Sequence, residues 1–394
     1  MYRLAAITLL IASLITLGFQ PRQQKAVEFE NFSQDYVFSE KLTITGTINS
    51  PSPVTEAVLY LKPFGEATQS IEFLPDRTGD VKLTHDLKEK PLRAFSPVEY
   101  WFQVKLADRE PITSPVYAFL YEDTRFEWQQ LDTDSFSLSW SEGGVDFGTE
   151  LQNAAAQSLV AAQGILPVII PAKLRIIVYP SSQDMQSAAQ LTTSPWAAGH
   201  TNPDLSLILI SVTPGPDARA EMERQIPHEI MHMLEYQVTG TSYNQIPAWL
   251  LEGLASSAEL YPNPEYQRVL DKAVDEDALL PMSVLCQDFP RDLSGALLAY
   301  AQSSSFVRFL NKNFGSRDTL TLLNLYADGL SCEVGLQAAF GSNLAQLESQ
   351  WQQEMLGRSP VSAAWKQIWP YMLLAGLVIL PISLTLVPAR RKMK

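Results

Sequence analysis

The spacing of apolar residues changes near residue 125, and this change constrains the fold more than any other feature. Before it, short runs alternate apolar and polar residues, as at Tyr100, Phe102 and Val104. A period of two is typical of half-buried β-strands. After it, residues 174–179 and 205–212 form strand-like runs, and helical periodicity dominates from about residue 219. Strands followed by helices predict an α+β fold.

Two folded domains are expected between the ends of the chain. Residues 27–125 have the length and strand spacing of an immunoglobulin-like β-sandwich. Residues 126–358 form the second domain, in which residues 149–163 and 183–190 have a helical pattern. A length of 394 residues is consistent with more than one hydrophobic core.

Apolar segments lie near both ends of the chain. Residues 1–26 contain a 16-residue apolar run at 4–19 and are predicted to be a secretion signal, either cleaved or kept as a membrane segment. Residues 368–388 carry no charge and are long enough to cross a bilayer. A linker at 359–367 precedes them, and a basic tail at 389–394 follows. Because clustered cations resist translocation, the tail is expected in the cytoplasm and both domains outside it. The prediction is a cell-membrane protein with one span if the signal is cleaved.

Charge and cysteine content narrow the possible partners and compartment. The net charge of −14 argues against nucleic-acid binding, because a phosphate backbone would be repelled. The two cysteines, Cys286 and Cys332, suggest one disulfide in an oxidising compartment. Two buried free thiols are the alternative.

A His-Glu-x-x-His pattern is formed by His228, Glu229 and His232. In an α-helix, positions i and i+4 share a face, so the two imidazoles can bind one metal ion with Glu229 beside it. Pro227 lacks an N–H, and the helix is therefore expected to begin or bend there. The alternative is a helix with two histidines that have no metal role.

A catalytic zinc ion needs a third protein ligand and one open position. The Gly and His of the metzincin pattern are replaced by Glu235 and Val238, so that pattern is absent. Further along, Glu252 stands in the segment Trp-Leu-Leu-Glu-Gly-Leu-Ala at 249–255.

Together, His-Glu-Ile-Met-His at 228–232 and the segment at 249–255 resemble the gluzincin metallopeptidases. The resemblance is to the M1-type aminopeptidases and the peptidase-MA-like proteins, and it covers about residues 136–356. It implies a gluzincin-type peptidase domain with a helical C-terminal half. It also implies one zinc ion held by His228, His232 and Glu252, with Glu229 as the general base of peptide-bond hydrolysis.

The resemblance implies further roles around the metal. Glu259, expected on the same helix face as Glu252, resembles a carboxylate that orients a ligand imidazole, although a solvated charge is the alternative. Tyr300 resembles the tyrosine that stabilises the oxyanion, although a packing tyrosine is the alternative. An edge strand before the metal helix is expected to pair with extended substrate, and residues 205–212 are the candidate.

The M1 exopeptidase signature Gly-Ala-Met-Glu-Asn is absent, so aminopeptidase activity is not predicted. The predicted function is that of a membrane-anchored, extracytoplasmic zinc peptidase acting on a protein or peptide. One alternative is a non-catalytic surface or envelope protein whose β-domain binds glycan or protein. An intact Glu229 favours the enzyme over this alternative. A membrane-tethered assembly factor for envelope proteins is a third possibility.

Overall fold

A computed structural model describes residues 26–107, 110–170, 172–190, 199–290, 292–358 and 371–372. The chain divides into two compact units, one ending at Arg125 and one beginning at Phe126. The predicted signal at 1–26, apart from residue 26, lies outside the described residues. So does the predicted membrane span at 368–388, apart from residues 371–372. Among the described residues, no helix combines the length and the apolar character that crossing a membrane requires.

The first unit consists of two antiparallel sheets. Strands β1, β2 and β5 form one sheet, and β3, β4, β6, β7 and β8 form the other. The sheets pack face to face, since Phe32 in β1 lies 4.3 Å from Phe102 in β6 between ring centroids. The predicted N-terminal β-domain is therefore confirmed. The strands are Glu28–Val37 (β1), Lys41–Asn49 (β2), Val54–Pro63 (β3), Gln69–Phe73 (β4), Asp80–Asp86 (β5), Ser96–Leu106 (β6), Ile112–Thr113 (β7) and Tyr117–Tyr121 (β8).

The second unit begins with a mixed sheet in the order β12-β13-β11-β10-β9. The three central strands are parallel, and both outer strands are antiparallel to their neighbours. The described strands are Gln129–Asp132 (β9), Phe136–Trp140 (β10), Leu174–Tyr179 (β11), Gly199–Asn202 (β12) and Leu207–Ser211 (β13).

The prediction that residues 205–212 form the edge strand is wrong. Strand β13 lies between β11 and β12, and all five of its residues are buried. A continuous apolar run is typical of a strand covered on both faces, which suits an interior position. The edge is instead the short polar strand β12, Gly199–Asn202.

Helices make up most of the second unit after the sheet, which confirms the predicted helical half. One hydrophobic core, which includes Trp249, Phe306 and Trp351, extends from Phe136 to Trp351. The helices are Gly144–Ile165 (α1), Ser182–Ala189 (α2), Ala218–Thr239 (α3), Ala248–Ala258 (α4), Pro264–Asp275 (α5), Met282–Leu285 (α6), Leu293–Asn313 (α7), Ser316–Ala327 (α8), Cys332–Phe340 (α9) and Leu344–Leu356 (α10), with 3-10 turns at Pro203–Leu205 and Gly240–Gln245.

Cys286 and Cys332 are paired in a disulfide, with their Cα atoms 5.8 Å apart. The bond joins the end of α6 to the start of α9, on either side of α7 in the sequence. The indole N–H of Trp249 also donates to the sulfur of Cys332 at 3.4 Å. The bond therefore ties the helical half together next to α4.

Candidate metal centre

Helix α3 carries the His-Glu-x-x-His segment near its middle. Of the two predicted alternatives at Pro227, a helix start is wrong, because the helix begins at Ala218 and Pro227 lies inside it. A proline in a helix leaves the carbonyl four residues earlier without its helical partner. That carbonyl, of Glu223, accepts the N–H groups of Leu260 at 2.9 Å and Tyr261 at 3.3 Å instead. The missing bond is thus replaced by a contact with the chain that follows α4.

Helices α3 and α4 bring three predicted ligands together. Oε2 of Glu252 lies 3.5 Å from Nε2 of His228 and 3.9 Å from Nε2 of His232. One donor atom from each residue lies within 4.8 Å of the other two. Zinc–ligand bonds of roughly 2.0–2.1 Å in a tetrahedron separate ligand atoms by about 3.3 Å. The space among the three side chains therefore suits one ion of this size.

The other nitrogen of each ring faces a carboxylate. Nδ1 of His232 lies 2.8 Å from Oε2 of Glu235, and Nδ1 of His228 lies 3.4 Å from Oε1 of Glu259. A carboxylate accepts a hydrogen bond, so in each neutral ring it favours the tautomer with the proton on Nδ1. The lone pairs of both Nε2 atoms then point toward Glu252.

Without a bound cation, the buried carboxylates of this site favour an added positive charge. Among the described residues, the buried Oε2 of Glu252 has no hydrogen-bond partner. Burial opposes the charged form of His228, but Glu252 and Glu259 outweigh it and hold the pKa of His228 well above its usual value. Burial likewise disfavours a charged Glu252, but the two histidines outweigh it and lower the pKa of this carboxyl. A bound cation would supply this positive charge. Two imidazole nitrogens with one carboxylate oxygen are a donor set that zinc accepts.

Two residues that contact His232, Glu235 and Tyr243, were not predicted from the sequence as part of the site. Glu235 is fully buried, and burial raises its pKa to about 7. The hydroxyl of Tyr243 lies 3.4 Å from Oε2 of Glu235 and 3.1 Å from Nδ1 of His232. An acid three positions after His232 on a helix is a signal that could have identified Glu235. Tyr243 lies in the 3-10 turn after α3 and has no comparable signal.

Glu259 and Tyr300 also lie at this centre. The prediction that Glu259 belongs to the same helix face as Glu252 is wrong, because α4 ends at Ala258 and the backbone of Glu259 is not helical. It nevertheless faces His228, and its other oxygen accepts the N–H of Asn263 at 3.2 Å. The ring of Tyr300, on α7, lies 6.5 Å from that of His228 between centroids, and burial raises the pKa of its hydroxyl.

Glu229 lies beside the three ligands and is largely buried. Its Oε2 accepts a 2.6 Å hydrogen bond from the hydroxyl of Thr201 on the edge strand. A cleft of about 930 Å³ is lined by Glu229 and the three ligands. Its polar lining includes His200, Arg224, Glu229, Asn244, Tyr266 and Tyr300, and Leu293, Ala296 and Leu297 add an apolar part. The centre is therefore accessible to a molecule larger than water.

Comparison with known proteins identifies the family. The sequence profile of the Peptidase MA superfamily matches residues 154–357, and the chain belongs to this superfamily. This result confirms the predicted gluzincin-like, peptidase-type family. No curated protein sequence matches the chain.

Similar chains are found among the solved structures. An M1 zinc metallopeptidase from Deinococcus radiodurans is 12% identical, with 84% of this chain and 94% of that chain covered and a TM-score of 0.35. An aminopeptidase N family protein from Idiomarina loihiensis is 8% identical, with 86% and 75% covered and a TM-score of 0.35.

Proposed function

We propose that this chain is a zinc-dependent peptidase, anchored in the cell membrane with its catalytic unit outside the cytoplasm. The observation that carries the proposal is the convergence of His228, His232 and Glu252 within 4.8 Å beside a cleft. Its substrates are proteins or peptides, in keeping with the peptidase superfamily to which the chain belongs.

The three ligands would hold one zinc ion with an open position. Such an ion acts as a Lewis acid and lowers the pKa of a water molecule from about 16 to roughly 7. Glu252 supplies the negative charge of the ligand set, and Glu235 and Glu259 orient the two imidazoles.

Glu229 is the proposed general base. Its carboxylate takes a proton from the attacking water while the water oxygen bonds to the peptide carbonyl carbon. It then delivers that proton to the nitrogen of the leaving amine as the C–N bond breaks. Tyr300, whose pKa is raised by burial and then by Glu252, stays protonated and can donate to the developing oxyanion.

Two observations support a location outside the cytoplasm. The apolar segments at 4–19 and 368–388 have the composition of a signal and a membrane span. The Cys286–Cys332 disulfide is the kind of bond that persists in an oxidising compartment.

The test compares the full chain in detergent with two variants. Wild type is expected to contain one zinc per chain and to cleave a generic peptide library. Glu229→Gln should keep its zinc and lose about 10²–10⁴-fold in kcat, the usual contribution of a general acid–base group. Glu252→Ala should lose its zinc, because it removes one of three ligands. The exposed Glu333→Gln on α9 is the matched control and should equal wild type.

Unchanged cleavage by Glu229→Gln would contradict the mechanism, and full zinc in Glu252→Ala would contradict the ligand set. Stoichiometric zinc in a wild type that cleaves no peptide would favour the non-catalytic alternative.

A further inference from the structure

Thr201 contacts the proposed base directly, and none of the steps above uses it. Its Oγ1 lies 2.6 Å from Oε2 of Glu229 and 3.2 Å from the backbone oxygen of Glu229. A hydroxyl has a single proton, and an ionised carboxylate is the stronger acceptor. The proton of Thr201 is therefore donated to Oε2, which engages one of the two oxygens of the base.

Gly199 lies next to the other oxygen of Glu229, Oε1. It precedes Thr201 by two positions on β12, so the two residues face the same side of the strand. A Cβ on Gly199 would lie 2.4 Å from Oε1 of Glu229, so any side chain there would push the carboxylate out of its position. The strand therefore lies against both oxygens of the carboxylate: Thr201 donates a hydrogen bond to Oε2, and the missing side chain of Gly199 leaves room for Oε1.

Thr201 is itself held in place by the sheet. Strand β12 is antiparallel to β13, with Thr201 opposite Ile208 and Gly199 opposite Ile210. Both isoleucines are fully buried. The hydroxyl thus stands on a backbone that is fixed by the sheet rather than on a mobile loop.

We propose that Thr201 is a positioning residue for Glu229: it binds Oε2 and leaves Oε1 as the oxygen that takes the proton from water. This inference rests on the proposed function of Glu229 as the base. Without the hydroxyl, the carboxylate can rotate about its last bond, and small misplacements of a catalytic group are costly in rate.

The test uses the zinc-loaded full chain and removes only the hydroxyl. Thr201→Val should lower kcat about 10–100-fold, the loss typical when a partner of a catalytic group is removed. KM should stay within about twofold and zinc content should be unchanged, because valine keeps the size of Thr201 in the cleft lining and the variant leaves the ligands as they are. Thr201→Ser, which keeps the hydroxyl, should recover most of the lost kcat. The matched control is Thr213→Val. Thr213 follows β13, and its hydroxyl donates to the Pro180 carbonyl, so this variant also removes a hydrogen-bonded hydroxyl and should equal wild type.

Three outcomes would overturn the inference. Thr201→Val with the kcat of wild type, while Glu229→Gln stays inactive, would remove the role of Thr201 and leave the proposed function standing. Equal losses in the Val and Ser variants would mean that packing, not the hydroxyl, matters. A zinc-loaded wild type without hydrolysis would overturn both proposals together. If the Val variant does not fold, Thr201→Ala replaces it against the same Ser comparison.

Discussion

At the scale of single residues, the histidine tautomers are decided by groups on the far side of each ring. Glu235 and Glu259 each accept from an Nδ1, so both Nε2 lone pairs are directed at one point. The two contacts are unequal, since the distance at His232 is 2.8 Å and that at His228 is 3.4 Å. We therefore expect His232 to be the more firmly oriented of the two.

Glu235→Gln tests this orientation. The variant keeps the shape of the side chain but removes the charge that favours a proton on Nδ1 of His232. Zinc affinity is expected to fall about 10–100-fold, as is typical when the hydrogen-bond partner of a ligand histidine is changed. Competition with a chromophoric chelator measures the Kd, and Glu333→Gln serves as the control. An unchanged Kd would mean that Glu235 does not orient the ring.

At the scale of elements, the position of Glu252 depends on how closely α4 approaches α7. A Cβ on Gly253 would lie 2.7 Å from the backbone oxygen of Ser303 and 2.8 Å from Cγ2 of Val307. Only glycine lets the two helices meet at this distance. Gly253 is therefore needed for packing. It lets α4 approach α7, and this approach keeps Glu252 within reach of α3.

Gly253→Ala is expected to separate α4 from α7. The overpacked side chain should lower the free energy of unfolding by about 1–3 kcal/mol, and zinc affinity should fall because Glu252 is displaced. Urea unfolding of the zinc-free protein measures the first effect and chelator competition the second. Gly164→Ala, on the exposed side of the last turn of α1 with open space around it, is the control. It should be stabilising by roughly 0.5–1 kcal/mol. Equal effects at both glycines would refute this account of Gly253.

At the scale of the whole molecule, the second unit combines one continuous hydrophobic core with one covalent link. The disulfide spans a sequence separation of 46 residues, and that stretch contains all of α7 and therefore Tyr300. Linking distant residues stabilises a fold mainly by reducing the entropy of the unfolded chain. The bond should therefore affect the stability of the unit more than the geometry of its centre.

Reducing the disulfide is expected to lower the free energy of unfolding by about 2–5 kcal/mol while zinc stoichiometry at saturating metal stays unchanged. Chemical unfolding with and without reductant measures the difference. The double variant Cys286→Ala with Cys332→Ala should be at least as unstable, because it also deprives the Trp249 indole of its sulfur acceptor. It should not respond to reductant, which makes it the control. A zinc site lost on reduction alone would contradict this separation of stability from geometry.

The sequence by itself determined the features that depend on local spacing. Strand and helix regions follow from periods of two and 3.6, and a helical i, i+4 spacing was enough to bring His228 and His232 onto one face. The disulfide partners followed from the presence of only two cysteines.

Only the tertiary structure decided the contacts that join distant segments. The edge position of β12, the use of the Glu223 carbonyl by the chain after α4, and the approach of Tyr243 to His232 all depend on packing between elements. The same is true of Thr201 at Glu229, where a hydroxyl 28 positions away in sequence reaches the carboxylate. Periodicity specifies which face of an element is buried, but not which neighbour covers it. These side chains were therefore identifiable only once the sheet and helices were assembled.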